Sequence, residues 1–388
     1  MSVATLPQAP AYAERVIGRR RGQEPGPTLI CVAALHGNEP AGVEGLQRVF
    51  ADLEGAAVLR GELVGLIGNR KALAAGKRFL EDDLNRIWTD DRLRRLRGGE
   101  LPVGAEDEEM LALADEIERA RVAARGPVYV LDLHTTSGPG SAFALLDDTL
   151  PNRAFALEFP VPLILGLEEE LAGPLLHHLV GQGMVTTGFE SGQHDDPAAI
   201  DGAEAAVWVA LEAAGLIDHG SRSEVAAGRQ LLAKVAAGLP HVTEVRYRHA
   251  IVPEDGFRME PGFASFDPVA EAQHLGSDVG GAVRAPETGL ILMPLYQSQG
   301  EDGFFIIRPI SPGWLKISRR MRRLRLERFL HWLPGVRRHP EREETFVVNR
   351  RIARWFALEI FHLLGFRRHG LLGDELVVSR RADDTPIA

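Results

Sequence analysis

At 388 residues, with 45% hydrophobic and 25% charged content, the chain is long enough for two or three packed domains and too apolar for wholesale disorder. Its formal net charge of −10 hides an asymmetry: residues 316–388 carry 17 Lys+Arg against 9 Asp+Glu, a balance of +8, which leaves −18 on the other 315 residues. No apolar run reaches the roughly 18–20 residues of a membrane span, and no charged start precedes an apolar stretch at the N-terminus, as a secretory signal would require. A single cysteine, Cys31, rules out an internal disulfide and a cysteine-rich zinc module. Together these features predict a cytoplasmic protein.

Through about residue 220 the chain alternates apolar strand-like runs with helical patterns, the signature of an α/β sheet. The runs predict strands over 28–35, 62–67, 128–133, 142–146, 161–167 and 184–189. Several are apolar on successive residues, as in Leu29-Ile30-Cys31-Val32, which suits strands buried on both faces. Helices are expected over 40–53, opened by Pro40; 105–125, stopped by Gly126-Pro127; 196–214; and 221–237. After Gly238-Leu239-Pro240 the texture changes. Residues 241–248 alternate polar and apolar, and Gly/Pro punctuation recurs through Pro309, which predicts a small β domain. From Ser311-Pro312-Gly313 onward the pattern reads as a basic helical extension, with arginine clusters in 319–325 and 350–354 and with Trp314, Trp332 and Trp355 interspersed. An amphipathic helix pair docked on the acidic body is the expected arrangement; an acidic partner or an anionic membrane surface is the alternative.

The chemistry concentrates in Leu35-His36-Gly37-Asn38-Glu39-Pro40, where a strand ends and a helix begins. Strand carboxyl ends line the ligand crevice of open α/β sheets. His36 and Glu39, three residues apart around a glycine, can reach one point. A second histidine closes another buried strand in Asp132-Leu133-His134-Thr135-Thr136. Two imidazoles and one carboxylate form the ligand type that catalytic zinc uses with an open position. Asp132, two residues before His134, either orients that ligand or merely closes the strand. His177-His178 lies in a helical pattern where surface or packing roles are expected. His194 lies close enough to Glu190 in sequence to meet a substrate. No nucleophile elbow, P-loop or dinucleotide fingerprint stands in a strand–turn–helix context, which disfavours serine hydrolases and nucleotide enzymes.

His-Gly-Asn-Glu at 36–39, Asp-Leu-Asn-Arg at 83–86, Asp-Leu-His-Thr-Thr at 132–136 and Gly-Phe-Glu-Ser-Gly at 188–192 occur in an order and spacing that resembles the succinylglutamate desuccinylase/aspartoacylase family, within the zinc-carboxypeptidase-like hydrolases. The similarity extends over roughly 28–310. It implies a mixed, largely parallel sheet flanked by helices, a catalytic domain over 1–240, a small β domain over 241–312 and an extension over 313–388 with no counterpart in the recognised part. It also implies one zinc ion per chain on His36, Glu39 and His134, a catalytic carboxylate at Glu190, a catalytic arginine at Arg70, and Asn85 and Arg86 facing the substrate. Asp83 is expected to brace its loop. Aspartoacylases carry a further substrate arginine ten residues before the catalytic glutamate; Val180 stands there.

Each implied role has a chemical rationale. Glu190 ends a strand and can exchange a proton with water and a leaving amine; its alternative is a solvated loop glutamate. A guanidinium at Arg70 can stabilise an oxyanion, and Arg86 can pair with a substrate carboxylate, with Asn85 fixing the orientation. The expected activity is hydrolysis of an amide bond in a small anionic N-acyl amino acid or related carboxylated amide. A carboxypeptidase of short peptides and a non-catalytic binding protein are the competing readings. No nucleic-acid partner is expected, and a homo-oligomer is left open.

Overall fold

A computed structural model describes residues 14–53, 59–339, 342, 345–349, 361, 363–372 and 375–380. The start of the chain, the arginine cluster at 350–354 and Trp355 lie outside the described residues. Through residue 309 the strands are β1 (Val16–Arg21), β2 (Glu24–Ala33), β3 (Arg60–Ile67), β4 (Val128–Thr136), β5 (Phe143–Leu145), β6 (Leu163–Leu165), β7 (Val185–Gln193), β8 (Val242–Ala250), β9 (Arg258–Met259), β10 (Pro268–Val269), β11 (His274–Asp278), β12 (Gly281–Arg284), β13 (Gly289–Leu292) and β14 (Asp302–Pro309). Eleven of them form one mixed sheet in the order β1-β3-β2-β4-β7-β5-β6-β8-β14-β13-β10. Neighbours run parallel across β3-β2-β4-β7 and again across β5-β6-β8. The remaining pairs are antiparallel.

The continuous apolar run of β2 follows from burial on both faces. Leu29, Cys31 and Ala33 enter a core shared with the helices Ala41–Asp52 and Ala198–Ala213, while Ile30 and Val32 enter a second core with the helix Ala105–Ala123. β4 divides its side chains the same way, with Leu131 and Leu133 on the first face and Val130 on the second. Each alternate residue thus leaves water, so the strand shows no period of two. The small residues of Ala198–Ala213 let the neighbouring helix Ala41–Asp52 come close: a Cβ on Gly45 would stand 2.8 Å from the Glu204 nitrogen.

Residues 241–309 are rich in strands, but most of them extend the main sheet. β8 pairs in parallel with β6, and β14, β13 and β10 follow it. Only β9, β11 and β12 form a separate small sheet. A core of Phe143, Ile164, Leu292, Phe305 and Ile307 crosses the expected boundary at residue 240.

The C-terminal extension differs from the helical expectation. A helix covers Pro312–Arg323, and a 3-10 segment covers Leu326–Trp332. Then β15 (Val336–Arg338), β16 (Thr345–Asn349), β17 (Phe366–Leu372) and β18 (Glu375–Arg380) make an antiparallel sheet in the order β15-β16-β18-β17. Val347, Val348, Val377 and Val378 explain the correction: paired β-branched residues favour a pleated, half-buried surface. Val348 and Val378 cover a core of Phe346, Phe361 and Phe366.

This unit docks on the body through buried polar contacts. Nη2 of Arg322 lies 2.9 Å from Oδ2 of Asp148, and its Nη1 donates to the Asp148 carbonyl at 2.8 Å. Arg153 donates to the Ser318 hydroxyl at 2.9 Å, which in turn donates to the Leu363 carbonyl at 2.7 Å. Among the described residues no helix is long and apolar enough to cross a membrane.

Candidate active site

The carboxyl ends of β2, β4 and β7 bring the chemistry together. After β2, Ala34 adopts φ +54°, a left-handed conformation that a residue with a Cβ holds only when its surroundings enforce it. The turn that follows delivers His36 and Glu39. Gly37 is required there, because a Cβ would stand 2.0 Å from the Ala72 carbonyl carbon. On the adjacent strands His134 and Glu190 are register partners, which sets their side chains next to each other.

His36, Glu39 and His134 are all buried, and one ligand atom from each lies within 4.8 Å of the others. Nδ1 of His36 is 2.8 Å from Oε1 of Glu39, and Nδ1 of His134 is 3.0 Å from Oε2. Each opposite ring nitrogen is anchored by a carboxylate: His36 Nε2 by Asp83 at 3.1 Å, and His134 Nε2 by Asp132 at 2.9 Å. Such outer carboxylates fix the tautomer and orientation of metal-binding histidines. Asp132 therefore orients His134. Asp83 braces its loop, accepting from the Asn85 nitrogen at 2.9 Å, and also holds His36.

The electrostatics are steep. Burial opposes ionisation of Glu39, yet His36 and His134 hold its carboxyl well below the usual range. Burial likewise opposes ionisation of Asp83, but His36 and Arg78 hold it low. Around His134, burial works against the charged ring, while Asp132 and Glu39 raise its pKa well above the ordinary value. Glu190 behaves in the opposite sense: burial pushes its carboxyl up to about 8, against the pull of His134. Its Oε2 is buried with no hydrogen-bond partner, while the side chain lines the same cleft as the three ligand candidates. A two-histidine, one-carboxylate donor set beside an unsatisfied carboxyl oxygen fits a catalytic divalent metal.

Arg86 and Asn85 also line the cleft. Arg86 donates to Oδ2 of Asp302 at 2.9 Å and to the Asn85 carbonyl at 3.0 Å. Oδ1 of Asn85 accepts from the Leu175 nitrogen at 2.9 Å, so its amide donor is what remains for a ligand. Arg70 does not line the cleft. It opens the helix Arg70–Ala75, where Asn69 caps the first turn, and its backbone nitrogen donates to buried Glu109 at 3.0 Å, with Nε 3.7 Å from the same oxygen. The guanidinium at the centre is that of Arg78, 3.0 Å from Asp83 and 3.4 Å from Glu39. Sequence reading passed over Arg78 because Arg70 directly follows a strand; the available signal was its place in the loop that leads into Asp83–Arg86.

Of the other cleft residues, His194 was expected near the substrate, whereas the cleft positions of Asp147, His177, Gln297 and Asp302 were not foreseen. Nδ1 of His177, expected at the surface or in packing, lies 2.5 Å from Oδ2 of buried Asp147, and both residues line the cleft. Its neighbour His178 turns to Asp90 at 3.0 Å and packs against Trp88. His194 bonds Thr135 at 2.7 Å and Gln297 at 3.2 Å, and Asn38 also donates to Gln297. Gln297 and Asp302 come from the region expected to be a separate domain, so no local motif marked them.

Residues 25–154 match the model of the succinylglutamate desuccinylase/aspartoacylase catalytic domain. Among curated proteins, the succinylglutamate desuccinylase of Photorhabdus laumondii is 31% identical over 154 residues, covering 38% of this chain and 45% of its own length. That of Burkholderia pseudomallei is 34% identical over 125 residues, covering 31% of this chain and 35% of its own length. The matched segment thus spans less than half of these relatives. Among solved structures, a succinylglutamate desuccinylase/aspartoacylase from Rhodobacter sphaeroides aligns over 76% of this chain and 88% of its own, with a TM-score of 0.54 at 17% identity. The product-bound ectoine utilization protein EutE (DoeB) from Ruegeria pomeroyi aligns over 74% and 86%, with a TM-score of 0.53 at 19% identity. These two likenesses show a shared mixed α/β fold. Residues 25–154, the segment that carries His36, Glu39 and His134, are thus similar to the succinylglutamate desuccinylase/aspartoacylase catalytic domain.

Proposed function

We propose that this protein is a cytoplasmic, zinc-dependent deacylase that hydrolyses the amide bond of a small N-acyl amino acid or related carboxylated amide. The observation that carries the reading is the buried His36-Glu39-His134 group sharing one cleft with the unpartnered Glu190 oxygen. His36, Glu39 and His134 would hold the ion, and when bound there zinc supplies Lewis acidity and lowers the pKa of a coordinated water from 15.7 to about 7.

The remaining work falls to side chains of this chain. Glu190 takes a proton from the attacking water at its free oxygen and returns it to the leaving amine. Burial of its carboxyl tunes it for that exchange near neutrality, and general acid–base help of this kind contributes about 10²–10⁴-fold. Arg78, part-buried between Glu39 and Asp83, is the cation placed to meet charge developing on the acyl oxygen, the role the family resemblance implied for Arg70. Asn85 and Arg86 orient the substrate carboxylate. The Arg86–Asp302 pair holds the guanidinium rigid and leaves fewer of its donors for that carboxylate. Val180 is buried in the helix Leu175–Val180 and adds no second cation.

The test combines elemental analysis with a substrate screen. Purified protein is expected to hold close to one zinc per chain, and His36→Ala or His134→Ala to lose most of it. A panel of N-acyl amino acids and short peptides then identifies the products. Equal zinc in wild type and both variants removes the site; release of terminal amino acids from peptides alone replaces the deacylase with a carboxypeptidase.

A further inference from the structure

The helix Pro312–Arg323 docks by its polar side. Ser318 and Arg322 are buried and carry the contacts to Arg153, Asp148 and Leu363. The large apolar residues Trp314, Ile317 and Leu324 face solvent instead, at 48%, 50% and 59% exposure. Arg325, at φ +52°, ends the helix and turns the chain into the 3-10 segment Leu326–Trp332, which packs against the helix. There Phe329 and Trp332 are also exposed, with their rings 5.0 Å apart. Interleaved with them are six exposed cations: Lys316, Arg319, Arg320, Arg323, Arg325 and Arg328. Arg328 lies over the Phe329 ring at 4.9 Å, so cation and aromatic occupy one surface.

A protein that needed this helix only as a docking element would bury the tryptophan and leave the arginines outside. Here two exposed tryptophans and three other large apolar side chains share the solvent face with concentrated positive charge. Basic helices that lie in a membrane interface combine these features: Trp, Phe and Leu enter the headgroup boundary, and Lys and Arg meet anionic lipids. Charge favours this occupant over a second copy of the chain, because two such patches face to face would oppose six cations to six. An anionic membrane repels the body, which carries −18, so only this basic face is drawn to such a membrane.

We propose that the exposed face of residues 314–332 is a peripheral docking surface for membranes rich in anionic lipid. It does not depend on the deacylase reading.

The test uses the full chain with vesicles of phosphatidylcholine alone and of an equimolar mixture with phosphatidylglycerol. Co-sedimentation is expected with the anionic vesicles only and should weaken as salt rises. Tryptophan emission should shift to the blue on binding, since Trp314 and Trp332 are exposed whereas Trp88 and Trp208 are already buried. Replacing Arg319, Arg320 and Arg323 together by glutamine should weaken binding on the order of 10²-fold, as about 1 kcal/mol per cation near the surface implies. Trp314→Ser with Trp332→Ser should abolish the blue shift and weaken binding, while metal content and thermal midpoint stay at wild-type values. Equal binding to neutral vesicles overturns the proposal, as does anionic binding that both variants retain. Indifference to both vesicles, with tight binding to duplex DNA or with a dimer that the tryptophan variant dissociates, assigns the face to that other occupant and also overturns it.

Discussion

Strand β2 and the helix Pro312–Arg323 both form interfaces, and they bury opposite kinds of side chain. β2 places Leu29, Ile30, Cys31 and Val32 into two cores, and every residue from Thr28 to Ala33 is buried. The C-terminal helix buries a serine and an arginine and turns a tryptophan outward. One interface is driven by removal of apolar area from water. The other is a charge and hydrogen-bond network whose value lies mainly in specificity, since burying an ion pair roughly offsets its own desolvation. Damage to the body should therefore show as lost chemistry or global unfolding. Damage to the C-terminal unit should show as loosened docking with the chemistry intact.

The largest expected effect is chemical. Glu190→Gln keeps the shape of the side chain and removes its proton exchange, so kcat should fall by about 10²–10⁴-fold. Metal content and thermal midpoint should stay at wild-type values, because Glu190 Oε2 makes no hydrogen bond in the fold. Steady-state kinetics on any substrate found in the screen, with elemental analysis beside it, checks both. Undiminished turnover in the variant would remove Glu190 from the reaction.

Next in size is the contrast between two arginines. Arg78→Ala should lower kcat on the order of 10²–10³-fold, the scale of losing a donor to a developing oxyanion. Arg70→Ala should leave kcat close to wild type, because its contacts run to Glu109, away from the cleft. Kinetics on the two variants with one substrate decides the matter. The reverse ranking would restore the role to Arg70.

The body was legible for a physical reason. Strands covered on both faces write unbroken apolar runs, and helices packed on them end at Gly126-Pro127 or begin at Pro40. The ligand candidates were legible because each sits at a strand end beside a glycine or a threonine pair. What the sequence hid was tertiary. Gln297 and Asp302 reach the cleft only because β14 joins the main sheet beside β8, and pairing between distant strands leaves no local mark. Arg78 belongs to a loop without periodicity. The C-terminal strands were masked by their basic neighbours, and the docking helix breaks the rule that apolar residues mark the buried face.

Stability should separate the two regions in turn. Trp208 is 1% exposed in the body core, and Trp208→Ala should cost about 3–5 kcal/mol and lower the unfolding midpoint of the whole chain. Arg322→Met removes one of two arginines on Asp148; Arg153 remains, so the loss should be about 1–3 kcal/mol. That loss should be local: limited proteolysis should cut within the C-terminal unit sooner than in wild type, with kcat near wild type. Protease resistance equal to wild type would mean that the strands β15–β18, and not this network, hold the unit in place.

The smallest effect is the most diagnostic for the exposed face. Trp332 is 71% exposed, and its ring meets Phe329 at 5.0 Å and His331 at 5.7 Å. Aromatic pairs contribute about 0.5–1.5 kcal/mol beyond area burial in favourable settings, and a solvent-exposed pair should fall at the low end. Surface substitutions away from caps, cores and networks stay within about 0.5 kcal/mol. Trp332→Ser should therefore change unfolding stability in urea by about that amount or less, with an unchanged m-value. A loss of 2 kcal/mol or more, roughly the scale of burying a large apolar side chain, would mean that Trp332 packs against another part of this chain. The C-terminal unit would then follow the same rule as β2, and the free apolar face on which the membrane proposal stands would no longer exist.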